Sequence, residues 1–311
     1  MNSLLAIVSG VFGYIIIGYV LGKTNFILAK IIKIFNQISF NLLLPIALIV
    51  NFWLIKFPEI IVYKLLIAFF GAGILVFIIG FFFSKKYYKF NIDDCALFGL
   101  AACFGNSVAF GIPLMYSILD SINVMPYMIL VLFHGIVHFT YTTLIIESYR
   151  NRQQINFKKI INIILGLAQN VVLFAMFFGF FLNYNDITFP ENLQKILLPI
   201  SNIALPCVLI SLGLTLSKIK VLNDLNYSII LTCLKNFLHP LFAFILAKYI
   251  LQMSPILIFI VTIAAALPSG SQTFYFSYRY NSLQNIISAN VVLSTFISFI
   301  TISLLLIFFG Y

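Results

Sequence analysis

Stretches of about 20 mostly apolar residues, each long enough to cross a bilayer as a helix, recur from the start of the chain to its end. Only short polar breaks separate them, which leaves no room for a soluble domain. In lipid every peptide group must find its partner inside the protein, so the pattern predicts an all-α membrane protein. Of 311 residues 62% are hydrophobic and 8% charged, too few charges to coat a water-facing surface, where about 25% is usual.

Cutting at polar clusters, Gly/Pro breaks and apolar periodicity predicts ten spans, at about 3–22, 31–54, 60–83, 95–119, 125–147, 160–182, 193–216, 226–250, 255–278 and 283–309. The apolar run after Met1 lacks the basic region and cleavage site of a signal peptide and reads as the first span. The net charge of +10 comes from Lys and Arg clustered between apolar runs, which argues for membrane topology and against nucleic acid as a partner. Cys95, Cys103, Cys207 and Cys233 lack metal or redox spacing and read as small core residues.

Thirteen basic residues fall after odd-numbered spans: Lys23, Lys30, Lys33, Lys85, Lys86, Lys89, Arg150, Arg152, Lys158, Lys159, Lys218, Lys220 and Arg279. Four, Lys56, Lys64, Lys195 and Lys248, fall after even-numbered ones. The positive-inside rule puts the odd loops in the cytoplasm and both termini outside. A five-plus-five division, 1–149 and 160–311 around a short cytoplasmic linker at 150–159, then makes the second half run opposite to the first.

Two motifs repeat between the halves. The second span carries Asn41 and Pro45 in an Asn-x-x-x-Pro pattern, and the seventh carries Asn202 and Pro206 in the same pattern. The fourth span holds Gly105-Asn106-Ser107 and Gly111-Ile112-Pro113; the ninth holds Pro268-Ser269-Gly270-Ser271-Gln272. Such residues interrupt helices, and interruptions in corresponding spans mark the binding site of a secondary transporter. The Gly111/Pro113 pair is expected to break the hydrogen-bond ladder, with the outer half-helix starting near Pro113 and the inner one near Ser269. Each half-helix N-terminus brings about half a positive charge. Asn106, Ser107, Ser269, Ser271 and Gln272 add neutral hydrogen-bonding groups suited to a carboxylate.

All eight acids (Glu59, Asp93, Asp94, Asp120, Glu147, Asp186, Glu191, Asp224) lie in loops or at span ends. A cation pump would need one in mid-membrane, so the interior favours an anion. Lys235 is the one basic residue well inside a span; it serves charge compensation for the anion or replaces a coupling cation, or it snorkels or bonds freed carbonyls near Pro240. His134 and His138, four apart, have no third ligand in sight and read as packed, hydrogen-bonded histidines. No metal or other cofactor is expected, and no catalytic constellation suggests an enzyme.

At the level of these motifs the chain resembles the auxin efflux carrier family, which includes plant PIN carriers and bacterial malate/malonate permeases. The resemblance spans nearly the whole chain. Its most specific parts are residues 106–114 (NSVAFGIPL) and 266–270 (ALPSG), similar to the family's crossover segments, with Ser211-Leu212-Gly213-Leu214 and the Lys235/Pro240 pair also typical. It implies a scaffold of spans 1, 2, 6 and 7, a transport domain of spans 3–5 and 8–10, and a fold like that of sodium/proton antiporters or bile-acid symporters. It also implies a homodimer formed through the scaffold. Asn106, Ser107, Gly111, Pro113, Pro268, Ser269, Gly270 and Gln272 would form the substrate site, with Asn41, Pro45, Asn202 and Pro206 facing it. The long cytoplasmic loop of the plant carriers is missing.

The expected function is elevator-type transport of a small organic carboxylate, as an efflux permease of a bacterial inner membrane. A sodium- or proton-coupled organic-anion symporter is the alternative, and a membrane receptor or intramembrane enzyme a remote one.

Overall fold

The computed structural model describes residues 2–24, 29–54, 63–120, 123–150, 171–219 and 225–311, and these are helical nearly throughout. The twelve helical segments are α1 (Asn2–Lys23), α2 (Ala29–Leu54), α3 (Tyr63–Tyr88), α4 (Ile92–Cys103), α5 (Ser107–Ile118) and α6 (Met125–Arg150). The second half supplies α7 (Val171–Tyr184), α8 (Glu191–Lys218), α9 (Leu225–Ile250), α10 (Pro255–Ala266), α11 (Gln272–Tyr280) and α12 (Gln284–Phe308). The expected linker beyond Arg150, and the first part of the sixth span at 160–170, lie outside the described residues.

Among the described residues six helices (α2, α3, α6, α8, α9 and α12) are long and apolar enough to cross a membrane, and α5, α7, α10 and much of α1 are shorter apolar helices. Large apolar side chains such as Phe174, Phe181, Leu304 and Phe308 project outward. In water such a surface would be a liability; in lipid it is the normal exterior of an integral membrane protein.

Local chemistry sets the helix ends. Asn91 caps α4, its side chain accepting from the Asp94 N–H at 2.8 Å, and Asp93 and Asp94 favour the positive end of the helix dipole. Pro255 occupies the first turn of α10, where its missing N–H costs nothing. In α2, α5 and α9 a five-residue π-helical turn ends two residues before a proline: Ser39–Leu43 before Pro45, Ser107–Gly111 before Pro113, and Leu234–Leu238 before Pro240. The wider turn relieves the clash between each proline ring and the carbonyl one turn back, so these helices continue. By contrast, α8 stays α-helical through Pro199 and Pro206.

The helices pack in two groups. In the first, α1 lies along α8, and α2 lies along both α7 and α8. In the second, α3 packs on α4, α9 and α10; α4 on α6; α9 on α10 and α12; and α11 on α12 and α4. Thinner contacts of α1 and α8 with α5, and of α1 with α12, join the groups.

Glycine lets the first group close up. A Cβ on Gly18 of α1 would stand 2.0 Å from the Ile210 carbonyl oxygen of α8, and one on Gly213 of α8 would stand 2.0 Å from that of Ile15. A Cβ on Gly179 of α7 would stand 2.7 Å from the Ile49 carbonyl oxygen of α2. Association inside lipid depends on such close backbone approach. Gly179 lies 161 positions after Gly18, and Ile210 lies 161 after Ile49 (18 to 179, 49 to 210). Likewise α4 and α10 are both 12 residues long and start 163 positions apart (92 to 255). The π-helical turns ending α3 and α9, Ser84–Tyr88 and Leu246–Ile250, are 162 apart (84 to 246).

Of the cysteines, Cys95 and Cys103 are buried and Cys207 is half-buried, but Cys233 is exposed on α9 rather than in the core. A thiol is apolar enough to face lipid, so burial does not follow from apolar surroundings in sequence.

Candidate functional site

Two interrupted helices meet deep in the second group. The chain leaves α-helix at residues 104–106, between α4 and α5, and at residues 267–271, between α10 and α11. These segments run antiparallel: the Asn106 N–H donates to the Pro268 carbonyl at 2.7 Å and the Gly270 N–H to the Phe104 carbonyl at 3.0 Å. The reciprocal bonds satisfy peptide groups that would otherwise be stranded in lipid. Gly270 is needed for the approach, since a Cβ there would meet the Phe104 ring at 2.6 Å and the Gly105 carbonyl at 2.9 Å.

The helix ends around the crossing are capped by side chains. Lys235 Nζ, fully buried, donates to the Ala265 carbonyl in the last turn of α10 at 2.6 Å. Ser269 Oγ donates to the Ala101 carbonyl in the last turn of α4 at 3.3 Å, and the Ser269 N–H finds Ser294 Oγ of α12 at 2.9 Å. The positive charge of Lys235 complements the negative end of α10. Among the described residues no Asp or Glu is buried.

Helix resumes at Ser107, earlier than the expected start near Pro113. The π-helical turn absorbs both Gly111 and Pro113, so neither interrupts the helix. Gly111 has a different purpose: Tyr127 Oη occupies the space of a Cβ there, at 1.8 Å, and donates to the Ser107 carbonyl at 2.5 Å.

A cavity of about 120 Å³ opens beside the crossing, lined by Ser107, Val108 and Ala109 of α5, His134 of α6, Ser271 and Gln272 at the start of α11, and Phe40, Leu44 and Val172 from the first group. Ser107 Oγ and His134 Nδ1 lie 2.9 Å apart, and the His134 ring stacks on Phe104 with centroids 4.2 Å apart. Asn106 Oδ1, Gln272 Oε1 and His134 Nε2 are buried without hydrogen-bond partners. A side-chain amide carries donor and acceptor on one rotor, so either can be turned to a ligand.

A second cavity, about 420 Å³, lies further along α5 between it and α1 and α8. Val11, Tyr14, Pro113, Tyr116, Asn202, Leu205 and Pro206 line it. Leu205 lies 161 positions after Leu44 of the first cavity, and Val11 lies 161 before its Val172 (44 to 205, 11 to 172). Thus Asn106, Ser107, Pro268, Ser269, Gly270 and Gln272 come together at the crossing. Pro113 joins Asn202 and Pro206 at the second cavity instead. Pro45 is buried in α2, whereas Asn41 is exposed and its neighbours Phe40 and Leu44 line the first cavity. Sequence reading missed Tyr127, Ser294 and His239; of these, His239 alone carried a signal, four residues after Lys235 and next to Pro240.

An apolar helical exterior enclosing two crossed, interrupted helices and a small polar cavity defines a membrane transport protein. The profile of the family described as Membrane transport protein matches residues 5–306, and the chain belongs to that family, the auxin efflux carriers. A relative from Rhizobium meliloti (strain 1021), named "Putative malonate transporter", is 23% identical over 239 residues, covering 75% of this chain and 71% of the relative.

Proposed function

We propose that this transporter carries a small organic carboxylate of the malonate type, bound at the crossing by Asn106, Ser107 and Gln272 together with the N-terminal N–H groups of α5 and α11. The observation that carries the reading is the cavity beside the crossing, which presents unpartnered polar groups in an interior where no carboxylate is buried among the described residues. An anion is the cargo for which this interior raises no repulsion. The name of the Rhizobium relative supports the same substrate class.

In this reading α1, α2, α7 and α8 form a scaffold, and the second packing group with α5 slides past it as an elevator. The recurrence of contacts, turns and cavity-lining residues 161 to 163 positions apart supports two inverted five-span halves, with one cavity serving each side of the membrane. The distribution of basic residues between spans supports termini outside the cytoplasm; the membrane in this reading is a bacterial inner membrane, and the scaffold supplies the homodimer contact. Export of a monovalent anion from a negative cytoplasm gains about 2.3 kcal/mol per 100 mV.

The test is transport of radiolabelled malonate and related carboxylates by the purified chain in liposomes. Asn106→Ala and Ser107→Ala are expected to cut uptake at least about tenfold, equivalent to about 1.4 kcal/mol, with unchanged yield of folded protein. Uptake equal to wild type in both variants would remove the crossing from the substrate path.

A further inference from the structure

Three histidines lie beside the crossing: His134 and His138, one turn apart on α6, and His239 on α9, none more than 2% exposed. Their rings surround Phe69 of α3, with centroids 5.6, 6.3 and 5.7 Å from its own. All three Nε2 atoms are buried without a hydrogen-bond partner. Orphaned buried polar atoms are rare in folded proteins, and three around one aromatic ring call for a functional account.

One tautomer is fixed by its partner. His138 Nδ1 lies 2.9 Å from the His134 carbonyl, which can only accept, so the His138 hydrogen sits on Nδ1 and its Nε2 is a bare lone pair. His239 Nδ1 lies 3.4 Å from Lys235 Nζ, and the Phe69 carbonyl also accepts from the His239 ring. A Cβ on Gly73 of α3 would stand 3.0 Å from His138 Nε2 and 3.7 Å from His239 Nε2. The two Nε2 atoms thus border the same small gap, kept open by a glycine.

We propose that His138 and His239, flanked by Lys235 and His134, form a proton-binding site, and that the carrier moves one proton together with its carboxylate. The proposal rests on the carboxylate reading above. The proton comes from the aqueous phase, bonds to the His138 Nε2 lone pair, and leaves the same atom on the other side; no other bond changes.

Charge balance supplies the reason. The groups around the pair are Phe69, Phe70 and Gly73 from α3, Phe104 after α4, His134 and Tyr141 from α6, and Lys235 from α9, with Cys103 bonded to Tyr141 and no acid among them. With the site empty, a second positive charge beside Lys235 is repelled. A dicarboxylate brings two negative charges, of which Lys235 offsets one, and a proton on the imidazole pair brings the loaded interior to neutrality. Burying uncompensated charge in a low-dielectric interior is costly, so anion and proton favour each other's binding. His134 links the two sites: its Nδ1 meets Ser107 at the cavity, and its carbonyl holds His138.

The experiment uses the full chain in liposomes loaded with a pH-sensitive dye, with labelled malonate outside, voltage clamped, at a pH that keeps malonate dianionic. Malonate entry is expected to acidify the lumen, and an inward proton gradient to speed uptake at least about fivefold. Gly73→Ala, whose methyl enters the gap, and His138→Asn, which keeps the bond to the His134 carbonyl but cannot take the proton, are both expected to abolish acidification and gradient dependence. The thermal midpoint of each variant in detergent shows that it is folded. Malonate uptake by wild type without acidification, or acidification retained in both variants, would overturn the proton site. A wild type that moves no small carboxylate would overturn the carrier reading beneath it.

Discussion

Lys235 Nζ and the Ala265 carbonyl oxygen lie 2.6 Å apart, joining the middle of α9 to the last turn of α10 at the crossing. The ammonium is wholly buried and no carboxylate is buried near it among the described residues. A Cβ on Gly105 would stand 3.6 Å from it, so its charge is felt at the crossing itself.

Lys235→Met should therefore leave thermal stability unchanged or raised while abolishing the proposed carboxylate transport. Losing the bond to the Ala265 carbonyl costs about 1–3 kcal/mol, but burying an ammonium without a counter-ion costs several, and the second outweighs the first. The thermal midpoint in detergent and uptake in liposomes check this. A clear fall in midpoint would show Lys235 to be a helix cap above all.

Gly18→Ala should destabilise the protein by roughly 1–3 kcal/mol, because its methyl meets backbone that cannot move aside without parting α1 from α8. Gly13→Ala, on the same helix, meets nothing within 4 Å and should leave stability unchanged or raise it by up to about 1 kcal/mol. Unfolding midpoints of the pair give the comparison.

Gly111→Ala drives a methyl into Tyr127 Oη and should break the bond from that hydroxyl to the Ser107 carbonyl. Tyr127→Phe removes the obstructing oxygen, so the double variant should be more stable than the sum of the single losses allows, with a coupling of about 0.5–3 kcal/mol. Additive losses would contradict the packing.

Arg150→Gln should cost about 1–3 kcal/mol. The Arg150–Asp93 pair is short, at 2.6 Å, but with 42% of the Arg150 side chain exposed solvent screens it to at most about 1 kcal/mol. The same change also removes a 3.0 Å bond to the Tyr280 carbonyl and the guanidinium over the Tyr280 ring. Denaturation at low and high salt measures it.

Much of this protein was legible in its residues. Apolar run length gave helix positions that stand within about five residues of the described ends, and the Gly105-Asn106-Ser107 and Pro268-Ser269-Gly270 segments mark the two interruptions. The misplacement of the α5 start has a physical cause: proline interrupts an α-helix, but a π-helical turn accommodates it, and nothing local in the sequence distinguishes the outcomes. Pro113 and Asn202 went to a second cavity for the same kind of reason, since their depth along a helix was readable and the neighbour each would face was not.

Residue order alone sets that the chain spans a membrane as helices, where those helices are interrupted, and that no acid is buried among the described residues, because each of these depends on residue type along one dimension. Only the tertiary structure decided that Lys235 caps α10 and that the two interruptions bond to each other. It alone brought His239 of α9 across Gly73 to His138 of α6. Contacts between residues a hundred or more positions apart follow from how whole helices pack, and close packing depends on shape rather than on composition.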